Sequence, residues 1–159
     1  KFVFAIDTKA TNLYGPVEAY AYVVVDGKKE LAETHKLTIK ANIVEDFSSM
    51  TIEQKQQSPI IETNAVVDLG KVAAGKHIKG QIQVKNIGVN PLQIRRAYST
   101  DKQIFVKACK AVKSGKKGNI PVEINTQGRN PGKYSREIVI ISNDYGNSIK
   151  KVTLTWTIE

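Results

Sequence analysis

The chain has 159 residues, 41% hydrophobic and 25% charged, with a formal net charge of +9. That length suits one domain or one and a part; no apolar run reaches the roughly 18 residues of a membrane span, and the single cysteine, Cys109, excludes an internal disulfide and any cysteine-based zinc cluster. Residues 1–59 carry 7 Lys and Arg against 8 Asp and Glu, whereas residues 60–159 carry 17 against 7, an asymmetry that suits either a polyanionic partner or a solvated basic surface.

In chain order, the sequence opens in mid-pattern at "KFVFAID", as either a mature fragment or a piece cut from a longer chain would. The stretches "FVFAI", "VEAYAYVVV" and "KLTIKANIV" read as three strands. They present Phe2, Phe4 and Ile6, then Ala21 and Val23, then Leu37, Ile39 and Ala41 or Ile43 to a core. In "DFSSMTIEQKQQSP", Thr51 with Gln54 three residues later spells a capping box and Pro59 stops the helix, so 46–59 is expected as a linker with one short helical turn. The carboxylates of Glu45 and Asp46 at its start read as solvated.

From Ile60 onward, strands are expected at 60–64, 66–69, 77–86, 91–98, 103–109, 119–126, 133–142 and 150–158. The last carries the clearest alternation: Val152, Leu154, Trp156 and Ile158 on one face, threonines on the other. Expected core residues include Val84, Leu92, Ile94, Phe105, Ile124, Tyr134, Ile140, Leu154 and Trp156. Short strands separated by Gly, Pro and Asn turns, with no long helix, predict an all-β, immunoglobulin-like antiparallel β-sandwich.

One stretch imitates a nucleotide site. Gly70-x-x-x-x-Gly75-Lys76 matches the opening of a phosphate-binding loop, but His77 follows where Ser or Thr must hold magnesium. Ile78, Gly80, Ile82 and Val84 then alternate with polar residues, which is a strand and not the helix whose N-terminus binds phosphate. The stretch is expected to be a turn between two strands.

The strands also repeat. Ile6-Asp7-Thr8 aligns with Ile124-Asn125-Thr126 at a spacing of 118 residues, and Gly15 with Gly132 at 117. A period of domain length means tandem domains and not a solenoid. Residues 1–45 are thus expected to be the trailing three strands of a preceding repeat, and 60–159 a complete domain. The half-domain would then need cover for one apolar face, either from the rest of the protein or by homodimerisation through residues 1–45.

Together "VVDLGKVAAGKHIKGQIQVKNIGVNPLQIRRAYST", "SGKKGNIPVEINT" and "PGKYSREIVIISND" resemble the bacterial immunoglobulin-like domains of unknown function. These are grouped with ASH and Hydin-type domains and are distant relatives of major sperm protein and the PapD chaperone. The shared pattern is D-L-G-x-V-x-x-G, then K-N-x-G-x-x-P-L-x-I, a G-x-x-G turn, and G-x-Y before a strand ending in S-N-D. The Cys-Gly-Cys often found after the third strand is replaced by Ala97-Tyr98-Ser99-Thr100-Asp101, so no thiol or metal role carries over. The resemblance implies an extracytoplasmic module of a larger protein that accepts a partner segment on a sheet edge or face.

Reactive chemistry is sparse. His35 and His77 each begin a strand beside a lysine and have no metal-ligand spacing; Ser99, Ser114 and Ser142 sit in turns or at strand ends, without a nucleophile elbow. Cys109 reads as structural. No cofactor and no enzymatic activity are expected. The one constellation with binding potential is basic: Arg95, Arg96, Lys102, Lys107, Lys110, Lys113, Lys116 and Lys117 fall on two successive strands and the following loop. The leading expectation is a structural or protein-interaction module; the alternative is a module that binds a polyanion, glycan or nucleic acid, through this patch.

Overall fold

The computed structural model describes residues 13–24, 27 and 33–159. The chain divides into two compact units, Lys1–Val44 and Glu45–Glu159.

In the first unit, β1 (Gly15–Tyr22) pairs antiparallel with β2 (Lys36–Ile43), from Gly15 opposite Ile43 to Tyr22 opposite Lys36. A 3-10 turn, Glu33–His35, leads into β2. The register sets Val17, Ala19 and Ala21 opposite Ala41, Ile39 and Leu37, so small and large apolar residues share one face. On the other face Lys40 meets Glu18 at 3.8 Å, and the Lys36 ammonium lies 4.2 Å from the Tyr20 ring centroid. The strand expected over "FVFAI" lies outside the described residues.

The second unit begins with a helix, α1 (Ile52–Gln56). Thr51 Oγ1 accepts from the Gln54 backbone, and Gln54 Oε1 accepts from the Thr51 backbone, the reciprocal cap that the sequence spells. Eight strands follow: β3 (Ile61–Thr63), β4 (Val66–Val72), β5 (His77–Asn86), β6 (Ile94–Tyr98), β7 (Ile104–Val106), β8 (Lys117–Asn125), β9 (Gly132–Ser142) and β10 (Ile149–Ile158). They form two four-stranded sheets, ordered β3-β5-β8-β7 and β4-β10-β9-β6. The inward faces meet in a core of Ile82, Leu92, Ile124, Ile140, Leu154 and Trp156 among others. This is the immunoglobulin-like β-sandwich that the sequence predicts.

Four details differ from expectation. The sandwich is not wholly antiparallel, because β4 runs parallel to β10. Only Asn64 and Ala65 separate β3 from β4, so the strand keeps its direction while it leaves one sheet for the other. The register of this pair shifts between Thr155 and Thr157, beside Gly70, whose φ is +77°. Asp68 Oδ1 accepts from the Gly70 backbone and the Thr155 hydroxyl, which accounts for D-L-G as a bulge signature.

Phe105, expected in the core, is 58% exposed. Ile104 and Val106 pair with the inward Ile124 and Val122, so Phe105 points outward opposite Glu123. Tyr134 is half-buried: its ring stacks on Trp156, with centroids 5.5 Å apart, and its hydroxyl donates to the Asn130 carbonyl at 2.6 Å.

The fourth difference is the segment expected as a linker, which packs on the second unit. Phe47 meets Tyr145 edge-on with centroids 5.5 Å apart. Ser58 Oγ accepts from the Tyr145 backbone, and the Gln57 carbonyl accepts from the Asn90 backbone. Glu45, expected as solvated, receives two hydrogen bonds from Arg95, at 2.9 and 2.7 Å. A guanidinium fork matched to a carboxylate outcompetes hydration when the geometry is bidentate.

Candidate functional site

The basic residues fall into two groups: Arg95, Arg96 and Lys107 line one groove, and Lys113, Lys116 and Lys117 surround the turn that leads into β8. Arg95 and Arg96 lie on β6; the first is held by Glu45 and Gln93, and the second stacks over the Tyr98 ring at 4.7 Å. Lys102 and Lys107 flank β7, and Lys110 lies in the loop beyond Cys109. Lys113 and Lys116 bracket a tight turn at Ser114–Gly115, in which the Lys116 N–H donates to the Lys113 carbonyl at 3.0 Å, and Lys117 opens β8. Lys107 lies beside the Val122 end of β8, five residues from Lys117 and so about 17 Å away along the strand. Residues 102–122 contain six lysines and no acidic residue. Among the described residues none of these six forms an ion pair.

The outward face of the β3-β5-β8-β7 sheet has two unlike ends. At one, His77 Nδ1 lies 2.6 Å from Glu123 Oε1, and this hydrogen bond draws the Glu123 carboxyl below its ordinary range. Phe105 stands beside that pair. At the other end Lys85 and Lys117 face each other directly across β5 and β8, with Gln83 opposite Asn119 next along. Sequence reasoning missed Lys85, although the alternation of β5 already placed it outward; only the register brings it to Lys117.

β6 and β7 end their sheets on the same side of the sandwich, and among the described residues neither has a strand neighbour outward. A groove between them is lined by Arg95, Arg96, Tyr98, Ile104, Phe105 and Lys107 among others. A second depression on the sheet face, lined by Lys79, Pro121 and Glu123, also reaches Phe105.

The sequence motifs, by contrast, build the fold. Asn86 is fully buried: Oδ1 accepts from the Ile60 and Gly88 backbones, and Nδ2 donates to the Asn90 and Val112 carbonyls. A Cβ on Gly88 would fall 2.4 Å from the Ser58 carbonyl oxygen. In S-N-D, Asp144 accepts from the Ile61, Gly146 and Asn147 backbones, while Asn143 bridges Gln93 and Pro91. The apparent phosphate loop is a turn in which the Lys76 N–H donates to the Ala73 carbonyl, and β5 follows it.

At the far end of the sandwich, Asp101 accepts from Arg129 at 2.7 Å with both oxygens and from Arg136 at 3.0 Å. Burial pushes the Asp101 carboxyl up, but the guanidiniums and the Gln103 N–H outweigh it and hold it below the usual range. The Arg129 guanidinium also lies over the Tyr134 and Trp156 rings. Cys109 packs half-buried against the core, and burial pushes its thiol up, away from reactivity. Among the described residues no three His, Cys, Asp or Glu side chains gather as metal ligands, and no helix is long and apolar enough to cross a membrane.

One solved structure superposes over most of the chain, and weaker matches accompany it. A protein of unknown function from Porphyromonas gingivalis W83 superposes with a TM-score of 0.65 at 16% identity, over 91% of this chain and 66% of that one. The Vibrio cholerae VesB protease matches with a TM-score of 0.47 at 14% identity, over 62% of this chain and 31% of that one. The PapD-like domain 7 of human CEP192 gives 0.49 at 10% identity, over 75% of this chain and 96% of that domain. The chain therefore spans just under two thirds of the Porphyromonas protein and about a third of VesB. Comparison with curated proteins gives no match. The model of the HYDIN/CFA65/VesB-like Ig-like domain, a family found in larger multi-domain proteins, matches residues 59–156, and the chain belongs to that family.

Proposed function

We propose that the chain is a non-enzymatic interaction module of a larger, extracytoplasmic protein, which takes up an extended segment of another protein, or of the rest of its own chain, along the outer edge of β7. The observation that carries this reading is Phe105, a large aromatic left 58% exposed on an edge strand. In strand addition the ladder hydrogen bonds supply affinity and alternate side chains supply selectivity. Phe105 on β7 and Lys107 just past its end line the same depression, so the fitting segment carries an apolar residue and, two positions along, a carboxylate. The flanking Lys102 and Lys107 oppose pairing of β7 with the same edge of another copy, which favours an acidic partner over self-association. Family membership supports the non-catalytic reading.

Photo-crosslinking from position 105, in cells that make the protein, tests the reading. The expected result is a protein adduct that survives high salt, weakens with Lys107→Glu, and is missing when the crosslinker is moved to position 133. Equal adducts from both positions would overturn it. Fractionation of those cells tests the location, and a wholly cytoplasmic protein would refute that part.

A further inference from the structure

The Lys85–Lys117 end of the outward sheet face carries an inference independent of the β7 edge. The geometry points to a binding site for an acidic polysaccharide, a sulfated or uronate-containing glycan, formed by Lys85, Lys113, Lys116 and Lys117 with the amides of Gln83 and Asn119. Like charges directly opposite each other on adjacent strands destabilise a sheet, with Cβ atoms about 5 Å apart. Lys117 and Lys85 nevertheless occupy such a pair, and only Lys85 has a counter-charge, Glu62 at 3.7 Å. Lys113 and Lys116 add two more ammonium groups, their Cα atoms within about 7 Å of each other across the turn.

The turn is rigidly mounted. The Gly115 N–H donates to the Asn86 carbonyl at 2.8 Å, the Ser114 hydroxyl donates to the Gly88 carbonyl at 2.6 Å, and the Asn86 N–H donates to the Lys116 carbonyl at 3.0 Å. These partners belong to the buried Asn86–Gly88 junction, so the lysine stems start from fixed positions and less ordering entropy is lost when an anion binds. No acidic residue of the segment 102–122 offsets the field.

The ligand class follows from what accompanies the lysines. Nucleic-acid surfaces add aromatic rings on which bases stack. Residues 107–120 contain no aromatic side chain. Gln83 and Asn119 are instead exposed and cross-strand neighbours, and their amides donate to and accept from hydroxyl groups. Ammonium groups spaced beside a strip of amides suit a chain that alternates anionic groups with hydroxyls.

The test uses the 159-residue chain with three probes: heparin, polygalacturonate and a single-stranded DNA oligonucleotide. Reversal of Lys113, Lys116 and Lys117 to Glu is expected to weaken glycan binding at least about tenfold at low salt and to flatten the salt dependence. Reversal of Lys76, Lys133 and Lys151 makes the same change in net charge elsewhere and should leave most of the affinity. Circular dichroism verifies folding of both variants. Asn119→Ala with Gln83→Ala should reduce binding of the two glycans and leave DNA retention unchanged, which separates the amide strip from bare charge. Equal losses in the two charge-reversed proteins would overturn the site. DNA binding as tight as glycan binding and insensitive to the amide changes would overturn the ligand class.

Discussion

β2 and β10 carry nearly the same pattern, "KLTIKANI" and "KVTLTWTI", yet they end in different surroundings. In β10, Val152, Leu154, Trp156 and Ile158 are at most 2% exposed. In β2, Leu37, Ile39, Ala41 and Ile43 are only half-buried, and among the described residues of the first unit Gly15 alone is buried. Alternation assigns a face to a strand; a second layer decides whether that face leaves water. The second unit supplies that layer from its own chain by packing two four-stranded sheets together.

The comparison breaks most visibly at Trp156. Trp156→Ala should cost about 3–5 kcal/mol in urea unfolding of the second unit, and a loss near 1 kcal/mol would mean that its burial contributes little. Asp101→Asn leaves the nearly buried Arg129 charge without its partner and should cost about 3 kcal/mol at neutral pH. The acid limb carries a signature of its own. Because the folded carboxyl titrates below its unfolded value of about 3.9, its stabilisation is complete above that value and drains away as pH falls through the lower folded value. The wild-type protein should therefore lose stability in acid more steeply than Asp101→Asn, and parallel acid limbs would contradict the arrangement.

Asn86→Ala, which strips four hydrogen bonds from a buried junction, should cost about 2 kcal/mol. A chain that starts at residue 60 should melt about 5 °C or more below one that starts at residue 45, because the Gln57, Ser58 and Glu45 contacts go with the segment. Identical melting would mean that the segment merely lies on the surface. The smallest effect sharpens the contrast: Ile39→Ala, half-buried in β2, should cost about 1 kcal/mol or less. A cost equal to that of Trp156 would show that the first unit has a second layer of its own.

The strand ladder was legible because period-two alternation is a local property. Ile78, Ile82 and Val84, then Val152, Leu154, Trp156 and Ile158, fall inward as the sequence reads. Phe105 was misread because "QIFVK" is apolar at both parities, and only pairing with β8 selects one. The direction of β4 was hidden because a change of sheet over two residues leaves no trace in hydropathy. The buried roles of Asn86 and Asp144 were likewise invisible, since a polar residue looks the same whether it faces solvent or caps four backbone groups. The basic segment could be located but not divided: Arg95 is neutralised by Glu45, fifty residues away, and Lys85 joins Lys117 only through strand register.

The parallel seam between β4 and β10 joins the first long strand of the second unit to its last. When such a module is pulled from its two ends, as happens within a longer chain under tension, the load runs along both strands and across their hydrogen bonds. The bonds that the Thr153 and Glu159 N–H groups donate to the Ala65 and Val72 carbonyls are then strained together, not opened one after another as in a pulled hairpin. Resistance to extension becomes a property of the whole seam, governed by its unfolding rate and not by equilibrium stability.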